Sequence, residues 1–341
     1  MHIAELDYDL PPELIAQEPA RPRDSSRMLV LHRDTGQLEH RRFRDFPDFL
    51  SRSDVVVLND TRVIRGRLKG RREPGGGRAE VLLLSKLEEG LWEALVTPGR
   101  RLQPGREMVF GEGELRAEVV ERTPSGGRLV RFFGEQDVSA ALSRLAEVPI
   151  PPYVHGPLHD ESDYQTVYAR VPGASAAPTA GLHFTPEIVE AVRRKAQAVV
   201  RVTLHVGLGT FRPIRTETVE DHTMHAERYA ISKETAEIVT RAAHEGRRVV
   251  VVGTSTARAL ESAADESGAL RAGAGETNLF MTPGYRFRSA GALLTNFHMP
   301  RSTLLALVSA FATREHVMRA YRQAVEMKYR FLSFGDAMLI L

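Results

Sequence analysis

A chain of 341 residues, 42% hydrophobic and 26% charged, has the composition of a folded globular protein of about two domains, long enough to bury a sizeable core. It contains no cysteine, which excludes disulfides, thiolate nucleophiles, cysteine-bound iron–sulfur clusters and the usual structural zinc sites. Net charge is only +2, yet residues 21–78 hold fifteen Arg or Lys against eight Asp or Glu, and residues 301–330 hold six against two. Such clustering suggests a polyanion met at one surface.

Taken in chain order, the N-terminal "MHIAELDYDLPPEL" carries acids and prolines where a secretory signal places positive charge and then an apolar run. The longest apolar stretch, "LLALVSAFA" at 304–312, is too short for a bilayer span, so a cytoplasmic location is expected. The first sixty residues read as a short helix at "PPELIAQ", a strand and turn at "RMLVLHRDTGQLEHRRF", a helix at "FPDFLS" and a buried strand at "DVVVLND". Between 63 and 150, six short alternating runs separated by Gly, Pro and Ser turns read as a small antiparallel barrel or sandwich, left through the proline-rich "EVPIPPYVHGP".

Beyond 160, helix and strand alternate. The helix "TPEIVEAVRRKA" has Thr185 as N-cap and Pro186 at its first position, the strand "AVVRVTLHV" follows, and the helix "SKETAEIVTRAAHEG" is capped by Ser232 and stopped by Gly246. The strand "RRVVVVG", helices at 303–312 and 314–329 and a terminal strand "AMLIL" complete the chain. The expected fold class is α/β: a discontinuous α/β domain made from 1–62 and 151–341, interrupted by a small antiparallel β-barrel domain at 63–150.

Candidate chemistry rests on oxygen and nitrogen. "VVVVGTSTARALES" is a strand, a glycine and a hydroxyl-rich helix start, where free amide groups bind anionic or polar ligand groups; Arg258 is a candidate carboxylate clamp. It lacks the further glycines of a dinucleotide fingerprint. "PTAGLHF" and "VGLGTFRP" place glycines and Thr beside His183 and His205 after apolar runs, suited to close approach of a ligand to the backbone. "VLNDTRV" offers Asn59, Asp60, Thr61 and Arg62 at a strand's carboxyl end, and Asp336 in "SFGDAMLIL" is a candidate base. His222 and His225 in "DHTMHAERY" are spaced to share a helical face as metal ligands, but no HExxH and no cysteine accompany them, and no metal is assigned. With His298 in "TNFHMP" these make five histidines beside small or polar residues, and imidazole transfers protons in both directions near neutrality.

Together "LPPELIAQEPARPRDSSRMLVL", "VVVLNDTRVI", "APTAGLHFT", "VTLHVGLGTFRPI", "HTMHAERY", "NFHMPRSTLLALVSAFA" and "YRFLSFGDAMLI" resemble, in order, the motifs of the S-adenosylmethionine:tRNA ribosyltransferase-isomerase family. The likeness runs from about residue 5 to 340 and is thinnest in the inserted β region; "GTSTARALES" departs from the family's GTTSVRTLES but keeps Thr254 and Arg258. The resemblance implies a usually monomeric enzyme with a discontinuous α/β domain and an inserted barrel. It further implies S-adenosylmethionine as a cosubstrate, with no cofactor, and tRNA with a GUN anticodon (Asp, Asn, His, Tyr) carrying 7-aminomethyl-7-deazaguanine as acceptor. The implied chemistry begins with removal of a ribose C5′ proton made acidic by the sulfonium. Adenine departs, the aminomethyl nitrogen adds, and methionine leaves as an epoxide closes. The residues proposed are His183 or His205 as base, with Asp336 as the alternative. Asn59, Asp60, Thr179, Gly181, Thr210, Thr254 and Arg258 would hold the cosubstrate, and Arg21, Arg23, Arg27, Arg62 and Arg65 would meet tRNA phosphates. Rival readings are a tRNA methyltransferase, which would yield adenosylhomocysteine, a non-catalytic RNA-binding module, and a histidine–metal hydrolase.

Overall fold

The computed structural model describes residues 1–123, 126–134, 137–155, 158–207, 214 and 216–341. The chain forms two compact units, one of Met1–Arg62, Pro151–Val171 and Ala177–Leu341, the other of Val63–Ile150 with Pro172–Ala176. The sequence reading leaves 172–176 in the α/β domain. These five residues instead group with the second unit, where the Ala174 carbonyl accepts from the Ile64 amide at 3.0 Å and Ser175 Oγ donates to the Leu83 carbonyl at 3.3 Å.

The chain opens with β1 (Arg27–Leu31), β2 (Leu38–Arg42), β3 (Val55–Asn59) and the short β4 (Thr61–Val63). The expected helices at "PPELIAQ" and "FPDFLS" are 3-10 turns, Pro12–Leu14 and Phe43–Phe49, because Pro12 and Pro47 each remove an amide donor. The second unit contributes β5 (Arg67–Glu73), β6 (Arg78–Glu88), β7 (Leu91–Thr97), β8 (Glu107–Phe110), β9 (Leu115–Arg122), β10 (Arg128–Phe133) and α1 (Val138–Leu145). There follow β11 (Val171–Ala174), α2 (Pro186–Lys195), β12 (Ala198–Leu204), β13 (Glu227–Ile231), α3 (Lys233–His244), β14 (Val249–Val252) and α4 (Thr254–Ala263). The last elements are β15 (Gly273–Thr277), β16 (Ala292–Asn296), α5 (Thr303–Phe311), α6 (Arg314–Glu326) and β17 (Ala337–Ile340).

Strands β5 to β10 close an antiparallel barrel in the order β10-β7-β6-β5-β8-β9. Alternate residues turn inward, so Leu115, Ala117 and Val119 of β9 meet Val130 and Phe132 of β10 in an apolar core. Gly70 permits the β5–β8 approach: a Cβ there would lie 2.4 Å from the Val109 carbonyl oxygen and 2.6 Å from the Phe110 ring.

The first unit holds a nine-stranded sheet, β15-β13-β12-β3-β14-β16-β17-β1-β2. Its central strands, "VVVLN" and "VVVV", are buried throughout, as strands covered on both faces must be, and β-branched valine suits them. Strands β12, β3, β14 and β16 are mutually parallel; β17 pairs antiparallel with β16 and parallel with β1. The carboxyl ends of the four parallel strands therefore share one sheet edge with the amino ends of β17 and β1. Asn59, Gly253, Asn296, Asp336 and Ser26, far apart in sequence, converge there. No helix among the described residues is long and apolar enough to cross a membrane.

Candidate active site

That edge carries a cleft of about 460 Å³ of empty space, counting its open mouth, within the range of small-molecule sites of roughly 300–1,000 Å³. One wall is the turn Ala177–Ala180, another the start of α4 after Gly253, and a third the end of β16 with His298. Gly253 adopts φ 92°, a conformation glycine alone takes without strain, and so turns the chain from β14 directly into α4. No side chain among the described residues caps this helix, so its first-turn amides lack intrahelical partners where Gly253, Thr254 and Ser255 line the cleft.

The histidines differ in what their ring nitrogens do. His183 is buried, with Nδ1 2.8 Å from Ser26 Oγ and Nε2 accepting from Asn296 Nδ2 at 3.2 Å, and its ring stacks on Phe43. Burial above all, with Arg23 and Arg330 adding repulsion, lowers its pKa to about 3. Proposed from sequence as a base, it has no uncommitted nitrogen: it is a neutral strut holding Asn296. His298 is equally buried and its pKa is also lowered to about 3 by burial, but only Nε2 is bonded, at 2.7 Å from Thr295 Oγ1. Its Nδ1 has no hydrogen bond among the described residues, and the residue lines the cleft. His205, at the end of β12 beside the cleft-lining Val206, places Nδ1 2.8 Å from Thr61 Oγ1; burial, outweighing the nearby Asp60 carboxylate, lowers its pKa.

Several other sequence candidates are committed to structure. Asp336 is buried and accepts from the Arg27 and Arg330 amides, both at 2.8 Å, and from Arg27 Nε at 3.2 Å. It knits β17 to β1 and does not line the cleft. Asn59 accepts from the Leu204 amide at 3.0 Å and donates to Ser255 Oγ at 3.0 Å, fixing the starts and ends of three elements relative to one another. Asp60 accepts from Thr203 Oγ1 at 2.7 Å and pairs with Arg170. Gly181 is required by packing: a Cβ would lie 2.1 Å from the Tyr168 hydroxyl. Arg258, read as a clamp for a ligand carboxylate, lines the cleft but is already paired with Glu227 and donates to the Leu279 and Thr277 carbonyls. Thr179 and Thr254 line the cleft, and Thr210 lies outside the described residues.

His222 and His225 share no helix. Only Val219–Asp221 forms a 3-10 turn, His222 packs edge-on against Phe280, and no cluster of three or more metal-ligating residues occurs among the described residues. Of the arginines, Arg21 and Arg23 bond Asp163, and Arg27 bonds Asp336 and stacks 4.1 Å above Tyr329. Arg62 and Arg65 are exposed. The sequence reading missed Glu227, Thr295 and Asn296. Glu227 accepts from the Gly207 amide at 2.8 Å and neutralises Arg258, while Asn296, 2% exposed, leaves its Oδ1 without a donor. The signal available for the last two was the pair of polar residues ending an otherwise apolar strand, "ALLTN".

A family model described as queuosine biosynthesis protein matches residues 3–340. S-adenosylmethionine:tRNA ribosyltransferase-isomerases of Moorella thermoacetica and Symbiobacterium thermophilum are 53% and 52% identical to this chain, each match covering 100% of both proteins. The crystal structure of S-adenosylmethionine tRNA ribosyltransferase from Thermotoga maritima is 40% identical, covers 99% of this chain and 100% of its own, and superposes with a TM-score of 0.57. With full-length agreement in sequence and a solved relative of the same architecture, the chain belongs to the S-adenosylmethionine:tRNA ribosyltransferase-isomerase family of queuosine biosynthesis proteins.

Proposed function

We propose that this chain transfers and isomerises the ribosyl group of S-adenosylmethionine onto 7-aminomethyl-7-deazaguanine at the wobble position of tRNA. Adenine and methionine are released and epoxyqueuosine remains in the tRNA. The observation that carries this reading is the cleft at the strands' carboxyl edge, in a chain that aligns with the named relatives from end to end. The first-turn amides of α4 suit the methionine carboxylate. The small residues Ala177 and Ala180 admit the ribose closely, and Thr179 and Thr254 offer hydroxyls to it. The Arg258–Glu227 pair makes this wall electrically neutral, so a cationic sulfonium meets no net repulsion there.

His205 takes the role of C5′ base in this reading. It is held by Thr61 at one nitrogen, the other carries no hydrogen bond among the described residues, and its lowered pKa keeps it unprotonated at neutral pH. The acceptor is tRNA with a GUN anticodon, the chain works as a monomer, and S-adenosylmethionine is consumed as a substrate with no separate cofactor. Incubation with S-adenosylmethionine and tRNA bearing the aminomethyl base tests the reading. Adenine, methionine and modified tRNA are expected in equal amounts; adenosylhomocysteine in their place would identify a methyltransferase.

A further inference from the structure

A second cleft, of about 340 Å³ counting its mouth, opens beside the first. Tyr153, Phe297, Met299 and Leu332 give it apolar walls, and Ser302 and Ser333 put hydroxyls at the edge, with Ser333 Oγ 2.8 Å from the Tyr153 hydroxyl. Thr179, His298 and Leu304 line both clefts. His298 in this shared wall is fixed from several sides: Thr295 binds Nε2, the Tyr321 hydroxyl accepts from its amide at 3.1 Å, and the Tyr8 hydroxyl donates to its carbonyl. Its Nδ1 alone has no partner among the described residues.

The two clefts differ in what they can hold. The first ends on a helix start that no side chain caps, whereas at the second the helix α5 is capped by Ser302, which accepts from the Leu305 amide at 3.2 Å. One first-turn amide of α5 is thus already taken, whereas no side chain takes one at the start of α4, so a carboxylate is better served in the first. The second offers aromatic and aliphatic surfaces rimmed by hydroxyls, which match the faces and edges of a planar heteroaromatic base. Two reactants must approach to within about 3–3.5 Å to react, and adjacent clefts with a common wall meet that need.

We infer that the second cleft receives the 7-deazaguanine base of the tRNA, and that His298, standing between the clefts, accepts the proton of the aminomethyl nitrogen as that nitrogen bonds to the ribosyl group. The inference rests on the reaction proposed above. In this step the nitrogen lone pair becomes the new N–C4′ bond, while the C4′=C5′ π bond left by C5′ deprotonation and opening of the ribose ring breaks and its electron pair settles on C5′ beside the sulfonium. The N–H proton passes to His298 Nδ1, while Nε2–H donates to Thr295 Oγ1. Burial keeps the imidazole neutral and its Nδ1 lone pair available, and the same burial makes it a weak base, so it holds the proton only in passing.

Three variants test it, with affinity for S-adenosylmethionine measured by equilibrium dialysis and turnover by release of adenine. Met299→Trp narrows the second cleft from its partly exposed side; kcat/KM for the tRNA falls by about tenfold or more, equivalent to roughly 1.4 kcal/mol, with S-adenosylmethionine affinity within about twofold of the wild type. Ser333→Ala, a smaller change in the same cleft, moves kcat/KM for the tRNA in the same direction with cosubstrate affinity unchanged, and stands in should the tryptophan variant misfold. His298→Gly loses about 10²–10⁴-fold in kcat, and added imidazole restores part of it, a response no structural role would give.

The base-binding role is overturned if both second-cleft variants keep kcat/KM for the tRNA, or if they weaken S-adenosylmethionine in equal measure. The proton-accepting role is overturned if folded His298→Gly retains its turnover or imidazole fails to rescue it. A wild-type enzyme that releases no adenine refutes the proposed reaction itself, a distinct result.

Discussion

The interior of the barrel and the carboxyl edge of the large sheet are both buried, but they are built from different chemistry. Leu68, Val81, Phe110, Leu115, Val130 and Phe132 fill the barrel with carbon. Its buried cation Arg128 is held by the carbonyls of Leu102, Gly127 and Gly99 at 3.1, 2.7 and 3.0 Å. At the sheet edge Asn59, His183, Thr295, Asn296 and His298 are buried polar side chains; among the described residues Asn296 Oδ1 is buried without a donor, and Nδ1 of the cleft-lining His298 has no hydrogen bond. A buried polar atom without a partner costs about 1–3 kcal/mol, which packing alone gives no reason to retain. The barrel segment also holds buried atoms without a partner, Arg67 Nε, Arg72 Nε and Trp92 Nε1, so the difference that matters is place: Asn296 and His298 line a cleft of small-molecule size.

The largest expected effect lies at the sheet edge. His205→Ala is expected to lower kcat by about 10²–10⁴-fold, and to abolish any exchange of the C5′ hydrogens of S-adenosylmethionine with deuterated water, followed by mass spectrometry. His183→Ala removes the strut under Asn296 and is expected to show up in stability before it shows in exchange. In the barrel the pattern reverses. Phe110→Ala removes a fully buried ring and should cost about 3–5 kcal/mol of stability in denaturant titrations, while the folded fraction keeps the wild-type kcat. A barrel variant that stays stable but loses kcat would place chemistry in the barrel and erase the distinction.

The sequence conveyed the fold better than the site, for physical reasons visible in particular residues. Period-two alternation in "ELRAEVVERT" and "RLVRFF" reports an inside and an outside, so the barrel was legible, and the valine runs of β3 and β14 reported strands buried on both faces. The short proline-bearing segments misread as helices failed because periodicity over six or seven residues does not separate α from 3-10 turns. Site residues were harder because a histidine's role depends on its partners. His183 and His298 look alike in sequence, and only the positions of Ser26 and Asn296, brought together by the reversal between β16 and β17, close one ring while leaving the other open. Arg258 was legible as buried polar chemistry, but its partner Glu227, on a strand three elements earlier, was not.

The buried histidines also give stability a smaller dependence on pH. With folded pKa values lowered to about 3, His183 and His298 stay unprotonated between about pH 3 and 6.5, a range in which the unfolded chain binds protons at both. Their contribution to stability is therefore complete above about pH 6.5 and is lost as pH falls toward 3, by at most about 1.4 kcal/mol per pH unit for each ring. Residues 63–150 contain no histidine, so this slope arises outside the barrel segment. Urea midpoints at pH 7 and 5 check the direction: the midpoint is lower at pH 5, and His183→Phe, which cannot titrate, reduces the difference. An unchanged midpoint between the two pH values would mean that these rings are not held neutral in the fold.

The smallest expected effect separates arginines that serve the fold from those available to a polyanion. Arg27 donates to the Met327 carbonyl at 2.9 Å, bonds Asp336 and lies over Tyr329, so its charge is already spent within the protein. Arg62 is exposed and carries no ion pair among the described residues. A side chain that neutralises one phosphate of a single-stranded loop changes the slope of log affinity against log salt by about 0.7. Arg62→Ala is accordingly expected to reduce that slope for tRNA binding by about this amount with no change in urea midpoint. Arg27→Ala should lower the midpoint and leave the slope alone, because it takes the nearer guanidinium from the buried Asp336 carboxylate, which keeps its two backbone amide donors, and removes no phosphate contact. If the two variants exchange these signatures, Arg27 leaves its carboxylate when tRNA binds, and the edge formed by β17 and β1 belongs to the RNA-facing surface.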